Sequence, residues 1–151
     1  MRHHIVCIAL AAAAFIAASA HAASPPYEDA SRAVDAFHSA LEKGDRDAVL
    51  AALDDAVAIY EQGWVESSKA AYAKEHLGAD LKFAQSTKSE QTARSGALIG
   101  DLAYVTTEGR TTGEFEGKPV NSITLETAVL RRTADGWRIV HIHWSSRKPK
   151  P

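Results

Sequence analysis

Three side chains in this sequence are the candidates for moving a proton at a site: Glu61, Glu126 and His76. A carboxylate or imidazole held near a reacting group can act as general acid or base. Glu126 falls between Leu125 and Ala128 in an apolar run, where burial would raise its pKa. Equally, it can be a structural hydrogen-bonding group, paired with Tyr104 or His76. His76 can be a base, a metal ligand or a satisfied helix histidine. It stands four residues after Tyr72, on one helix face, with Asp80 a turn further on to orient it. Glu66, in a loop, reads as a solvated charge or a partner for a helix N-terminus. His141 and His143 are spaced i, i+2 and on a strand project to one side. Such a pair can chelate zinc or copper with a third ligand from elsewhere, or hydrogen-bond across a subunit interface. Ser145 and Arg147 share that side.

The elements that must position these groups follow from periodicity. Val34, Phe37, His38 and Leu41 fall at i, i+3, i+4, i+7, which predicts a helix over 28–43 stopped by Gly44. Asp45 caps a short second helix carrying Val49, Leu50 and Leu53. Residues 56–61 read as a strand and 62–67 as a loop containing Trp64. Ser67 or Ser68 caps a third helix ending at Gly78. Strands are expected over 84–97, 102–115, 120–133 and 137–147, with turns at Glu116-Gly117 and Asp135-Gly136. Helices first and strands after give an α+β fold: a curved antiparallel sheet whose concave face is covered by N-terminal helices. In the last strand Val140, Ile142 and Trp144 share one face, and Trp137 and Ile139 the other. A strand apolar on both faces is covered on both, which predicts a homodimer.

Residues 1–22 have the form of a secretory leader. Arg2 is followed by an alanine-rich apolar stretch, and Ala20-His21-Ala22 fits cleavage after Ala22. The apolar run is shorter than a membrane span needs, so no span is expected after cleavage. Export to the periplasm or outside the cell is expected. Cleavage removes Cys7, the single cysteine, and with it cysteine nucleophiles and thiolate ligands. Residues 23–27 form a lead-in, 28–147 one domain and 148–151 a basic tail. The 151 residues hold 17 basic and 19 acidic side chains, a balance that gives no footprint for nucleic acid. Arg131-Arg132 and the tail read as solvated surface.

The segments FHSALEKGDRD (37–47), VAIYE (57–61) and ETAVLRRTADGWRIVHIHWSS (126–146) resemble the nuclear transport factor 2-like superfamily. Within it the chain is most similar to the SnoaL-like and calcium/calmodulin-dependent kinase II association-domain groups. The latter share the pattern met here by Trp137, Val140, His141, His143 and Ser145. The resemblance implies a cone-shaped, cystatin-like α+β barrel with an inner pocket and common dimerisation, but no single function. Ketosteroid isomerase chemistry needs a base and two oxyanion donors. Glu61 lies near the base position, but the donor positions hold Phe37 and Ala128, which cannot donate. The inward arginines of the association domain would map near Thr106, Ala128 and Trp144.

The resemblance also sets which strand faces look inward. It places Val140, Ile142 and Trp144 in the pocket with Tyr104, Thr106 and Glu126, closed by Glu61, Trp64, Tyr72 and His76. An aromatic cavity with a few polar groups is the usual form of a small-molecule site. The expectation is a small-molecule-binding domain without a cofactor. The alternatives are a cofactor-independent isomerase, lyase or hydrolase using Glu61, Glu126 and His76, and an assembly or metal-handling module using His141 and His143.

Overall fold

The computed structural model describes residues 26–150. The expected leader and most of the lead-in fall outside the described residues. Helix α1 (Glu28–Lys43) buries Val34, Phe37 and Leu41 along one stripe. Its acidic first turn and Lys43 in the last suit the helix dipole. Gly44 ends it at φ 73°, where a Cβ would stand 2.5 Å from the Gln85 amide. Asp45 then caps α2 (Arg46–Ala52) by accepting the Ala48 N–H at 3.0 Å.

Strand β1 (Leu53–Glu61) begins earlier than expected, because Leu53 and Val57 are buried on its inner face. The expected loop contains β2 (Trp64–Glu66). Gln62 and Gly63 both take positive φ, 49° and 90°, and turn the chain straight back into a hairpin. Ser68 caps α3 (Lys69–Glu75), and α4 follows at Leu77–Ser86. Gly78 therefore does not end a helix. It lies in the first turn of α4, which is held to the core by buried Leu77.

Strands β3 (Thr87–Ile99), β4 (Leu102–Phe115), β5 (Lys118–Thr133) and β6 (Gly136–Arg147) complete a six-stranded curved sheet in the order β2-β1-β6-β5-β4-β3. It is mixed: β1 lies parallel to β6, and every other pair is antiparallel. Helices α1 and α4 pack across its inner face, as the α+β expectation required. The core joins Val34, Phe37 and Leu41 to Val105, Ala128, Leu130, Ile139 and Ile142. Among the described residues no helix is long and apolar enough to cross a membrane.

Two expected strand faces are corrected. In β6, Val129 pairs with His141 but Leu130 pairs with Ile139, so Val140 is the extra residue of a bulge. Ile139 and Ile142 then both face inward and are buried, while Val140 does not share the inner row of Ile142 and Trp144. Strand β6 is thus not apolar on both faces, and no partner subunit is needed to explain its pattern. In β4, Val105 pairs with Ala128 on the inner face, which turns Tyr104 and Thr106 outward. Strand phase is all or nothing: a shift of one residue sends every side chain to the other face.

Candidate functional site

One row of register partners crosses all six strands: Trp64, Glu61, Trp144, Glu126, Thr107 and Arg94, from β2 to β3. The row is a boundary on the inner face. Below it lie Val105, Ala128 and Ile142, all buried apolar. Above it the same strands carry Thr111, Thr124 and Ser146. A cleft of about 1090 Å³ opens on this hydroxyl-bearing side, between the sheet, α1 and α4. Glu61, Trp144, Glu126, Thr107 and Arg94 line it, with His38 and Asp35 from α1 and Asp80 and Phe83 from α4. Lys148 and Lys150 of the tail border it.

At the centre, Glu126 Oε2 accepts two hydrogen bonds: from His38 Nε2 at 2.7 Å and from Trp144 Nε1 at 2.6 Å. Phe37 stacks against the Trp144 ring at 6.3 Å and meets the His38 ring edge-on at 5.4 Å, fixing both. Burial alone would raise the Glu126 pKa. The His38 charge, its hydrogen bond and the Trp144 N–H overcome that, and the carboxyl is held below its ordinary value. Burial would likewise depress His38, but the facing carboxylate outweighs it and the imidazole is raised above 6.5. The second carboxylate oxygen, Oε1, is buried with no hydrogen-bond partner among the described residues. Arg94 is tied down by Asp35 at 2.6 Å, Ser31 at 2.9 Å and Thr107 at 3.3 Å.

A second polar group adjoins the cleft through Glu61. Burial, and then the Asp80 charge, raise the Glu61 carboxyl. Burial also raises Asp80, against the Tyr72 hydroxyl that donates to its Oδ2 at 2.7 Å. Burial and the neighbouring carboxylates push the Tyr72 phenol well above its ordinary value. His76 Nδ1 is hydrogen-bonded to Glu66, with the Trp64 ring 6.0 Å away.

The residues expected to form one pocket are thus divided. Glu61, Glu126 and Trp144 line the cleft. Tyr72, His76 and Trp64 gather around a small hollow beside it, which Glu61 and Trp144 share. Ile142 lies in the core beneath the row, and Tyr104 and Thr106 stand on the opposite sheet face. Glu126 bonds neither Tyr104 nor His76. Glu66 is buried rather than solvated, as the partner of His76. His141 and His143 flank Tyr60 on the outer face, and His141 Nδ1 donates to the Ala58 carbonyl at 2.8 Å. Among the described residues no three His, Cys, Asp or Glu side chains are grouped to hold a metal ion.

Sequence reasoning missed His38 and Arg94 as site residues. His38 was visible as part of the α1 stripe, and a polar ring on a buried stripe needs a partner. Arg94 is the one cation among the Ser, Thr and Gln residues of 89–97.

The family model described as a SnoaL-like domain matches residues 31–148. Among solved structures, a candidate ketosteroid isomerase from Shewanella frigidimarina is 38% identical. It covers 78% of this chain and 94% of its own, with a TM-score of 0.74. A candidate dehydratase of the nuclear transport factor 2-like family from Streptomyces avermitilis is 24% identical, covering 81% and 96%, TM-score 0.70. The CaMKII hub of S. rosetta is 23% identical, covering 83% and 100%, TM-score 0.70. These last two similarities concern the fold. No curated protein matches the chain.

Proposed function

This chain belongs to the SnoaL-like domain family, and on that premise we propose that it is an exported protein that binds a small organic molecule in the cleft. The observation carrying this reading is the wall of the cleft, where the Trp144 indole stands between two carboxyl groups whose surroundings push their pKa values in opposite directions. An aromatic surface with few, converging polar groups suits an organic ligand with a polar end. The leader-like segment 1–22 supports export. The test is native mass spectrometry and thermal shift on residues 23–151, screened against small organic molecules. A bound organic mass or a saturable rise in midpoint is expected. No ligand across a chemically broad screen would overturn the proposal.

A second reading is cofactor-independent proton transfer, as in an isomerase, lyase or hydrolase. It is favoured by the opposed pushes on Glu61 and Glu126, since carboxyl groups held apart in pKa are suited to acid and base roles. The Shewanella relative carries the name ketosteroid isomerase. In this chain Phe37 and Ala128, at that reaction's donor positions, are buried apolar groups, so a steroid substrate is not part of the proposal.

The protein is further proposed to act as a homodimer through the outer sheet face, where Tyr60, Tyr104 and Leu125 are 45%, 40% and 49% exposed. His141 and His143 lie on that face and enter the proposal as interface groups.

A further inference from the structure

We infer that His38 is the group that exchanges protons with a molecule in the cleft, and that Glu126 is its positioning residue rather than the reacting carboxylate. This deepens the proton-transfer reading and rests on the cleft being a small-molecule site. The geometry separates the two roles. The Glu126 side chain is 8% exposed, with Oε1 sealed and Oε2 already holding two donors. A carboxylate so enclosed has no open oxygen for a ligand. His38 is 40% exposed and lines the cleft.

The tautomer follows from the acceptor. An ionised carboxylate only accepts, so His38 Nε2 must donate to it, and the neutral ring keeps its lone pair on Nδ1. That nitrogen makes no hydrogen bond among the described residues. The ring itself is fixed: Phe37 braces it edge-on, and Trp144, stacked on Phe37, holds the carboxylate from its other side. A base oriented by a buried carboxylate, on a ring that lines a cavity and keeps one nitrogen unbonded, is an arrangement suited to proton abstraction.

The charges that act on His38 are Glu126 from β5, Arg94 from β3 and Asp35 one turn earlier on α1. From β6 it shares a carboxylate with the uncharged Trp144. The Asp80 carboxylate of α4 acts on Glu61 instead. With Arg94 bridged to Asp35, Glu126 is left as the dominant partner.

The probe is 5-nitrobenzisoxazole, whose ring opening needs only a base. His38 Nδ1 takes the C3 proton, the C–H electron pair completes a nitrile, and the N–O bond breaks to leave its pair on a phenolate. The mature chain should catalyse this saturably, with a rate that rises through a single ionisation above pH 6.5. His38→Ala should lose about a hundredfold in kcat. Glu126→Gln keeps an acceptor for both donors but not the charge. It should move the ionisation to lower pH with KM changed less than about twofold. Saturable turnover unchanged in His38→Ala, or an unmoved pH profile in Glu126→Gln, overturns the assignment and leaves the binding site standing. No saturation and no midpoint shift with the probe removes the small-molecule site itself, and the assignment with it. Should the variants fail to fold, long-range ¹H–¹⁵N spectra of the wild-type imidazoles decide. They should show the neutral His38 ring protonated at Nε2, and protonation at Nδ1 would overturn the assignment.

Discussion

Glu61 and Glu126 face one cleft from either side of Trp144, two strands apart in a single row of the sheet. Two strand spacings put their Cα atoms about 10 Å apart, so one indole separates them. Their chemical states diverge because their neighbours do. Glu126 has a histidine and an indole N–H on one oxygen and is held ionised. Glu61 faces another carboxylate, Asp80, and is pushed toward its neutral form. The same sheet register thus sets the carboxylate that orients His38 at one edge of a flat aromatic surface and a carboxyl with a raised pKa at the other.

The His38–Glu126 pair should stabilise the fold within a defined pH window. Glu126 is depressed, so its contribution is present above its unfolded pKa and is lost as pH falls through the folded value. His38 is raised, so its contribution is full below its unfolded pKa and is lost as pH rises through the folded value. Both hold between about pH 4.5 and pH 6.5. A double-mutant cycle with His38→Gln and Glu126→Gln, read by urea unfolding, should give its largest coupling there. Because His38 is half exposed, that coupling should be about 1 kcal/mol or less. A coupling flat from pH 4 to pH 9 would contradict the pairing.

Glu61 should carry the opposite sign. Its raised carboxyl means the native state keeps the proton longer than the unfolded chain. Stability is therefore full below the unfolded pKa and falls as pH rises through the folded one. Ionised Glu61 is a cost to the fold at neutral pH, so Glu61→Gln should raise stability at pH 7 by a few tenths to about 1 kcal/mol. The gain should vanish near pH 4. Such a gain marks a side chain kept for chemistry rather than for stability. Destabilisation at pH 7 would show that Glu61 is structural.

Most of the elements were legible in the sequence because their signals are local. The stripe through Val34, Phe37 and Leu41, the Gly44 stop, the Asp45 cap and the Asp135-Gly136 turn each act within a few residues. Strand phase was not legible. The bulge at Val140 depends on β5 beside it, and in β4 the resemblance pointed Tyr104 and Thr106 inward, whereas the small apolar Ala103 and Val105 take the inner face. Hence Tyr104 and Thr106 changed sides while Glu126 and Trp144 did not. The site was half legible for the same reason. Glu126 announced itself by an apolar setting, but its partner lies 88 positions away in the chain. Only the packing of α1 on the sheet brings His38 to it.

Trp144→Phe isolates the indole N–H. The ring and its stacking on Phe37 survive, while Glu126 Oε2 loses one of its two donors. The Glu126 carboxyl should rise toward its ordinary value, and unfolding should cost about 1 to 3 kcal/mol less, since a buried charged acceptor is left under-satisfied. Carboxyl ¹³C titration and urea unfolding measure both effects. An unchanged titration would mean that His38 alone holds the carboxylate.

The outer face of the sheet gives the last prediction. Tyr104 stands opposite Val129 there, on the same face as exposed Leu125 and the Tyr60 ring that His141 and His143 flank. A two-fold contact would place the same patch on both copies, so one added charge per chain becomes two opposed charges at one interface. Tyr104→Asp should therefore shift sedimentation from dimer to monomer. The His38–Glu126 dyad lies on the other face of the sheet, so the folded monomer should keep its His38 imidazole signals. Wild-type sedimentation as a monomer would remove the dimer. A dimer unaffected by Tyr104→Asp would move the interface off this face.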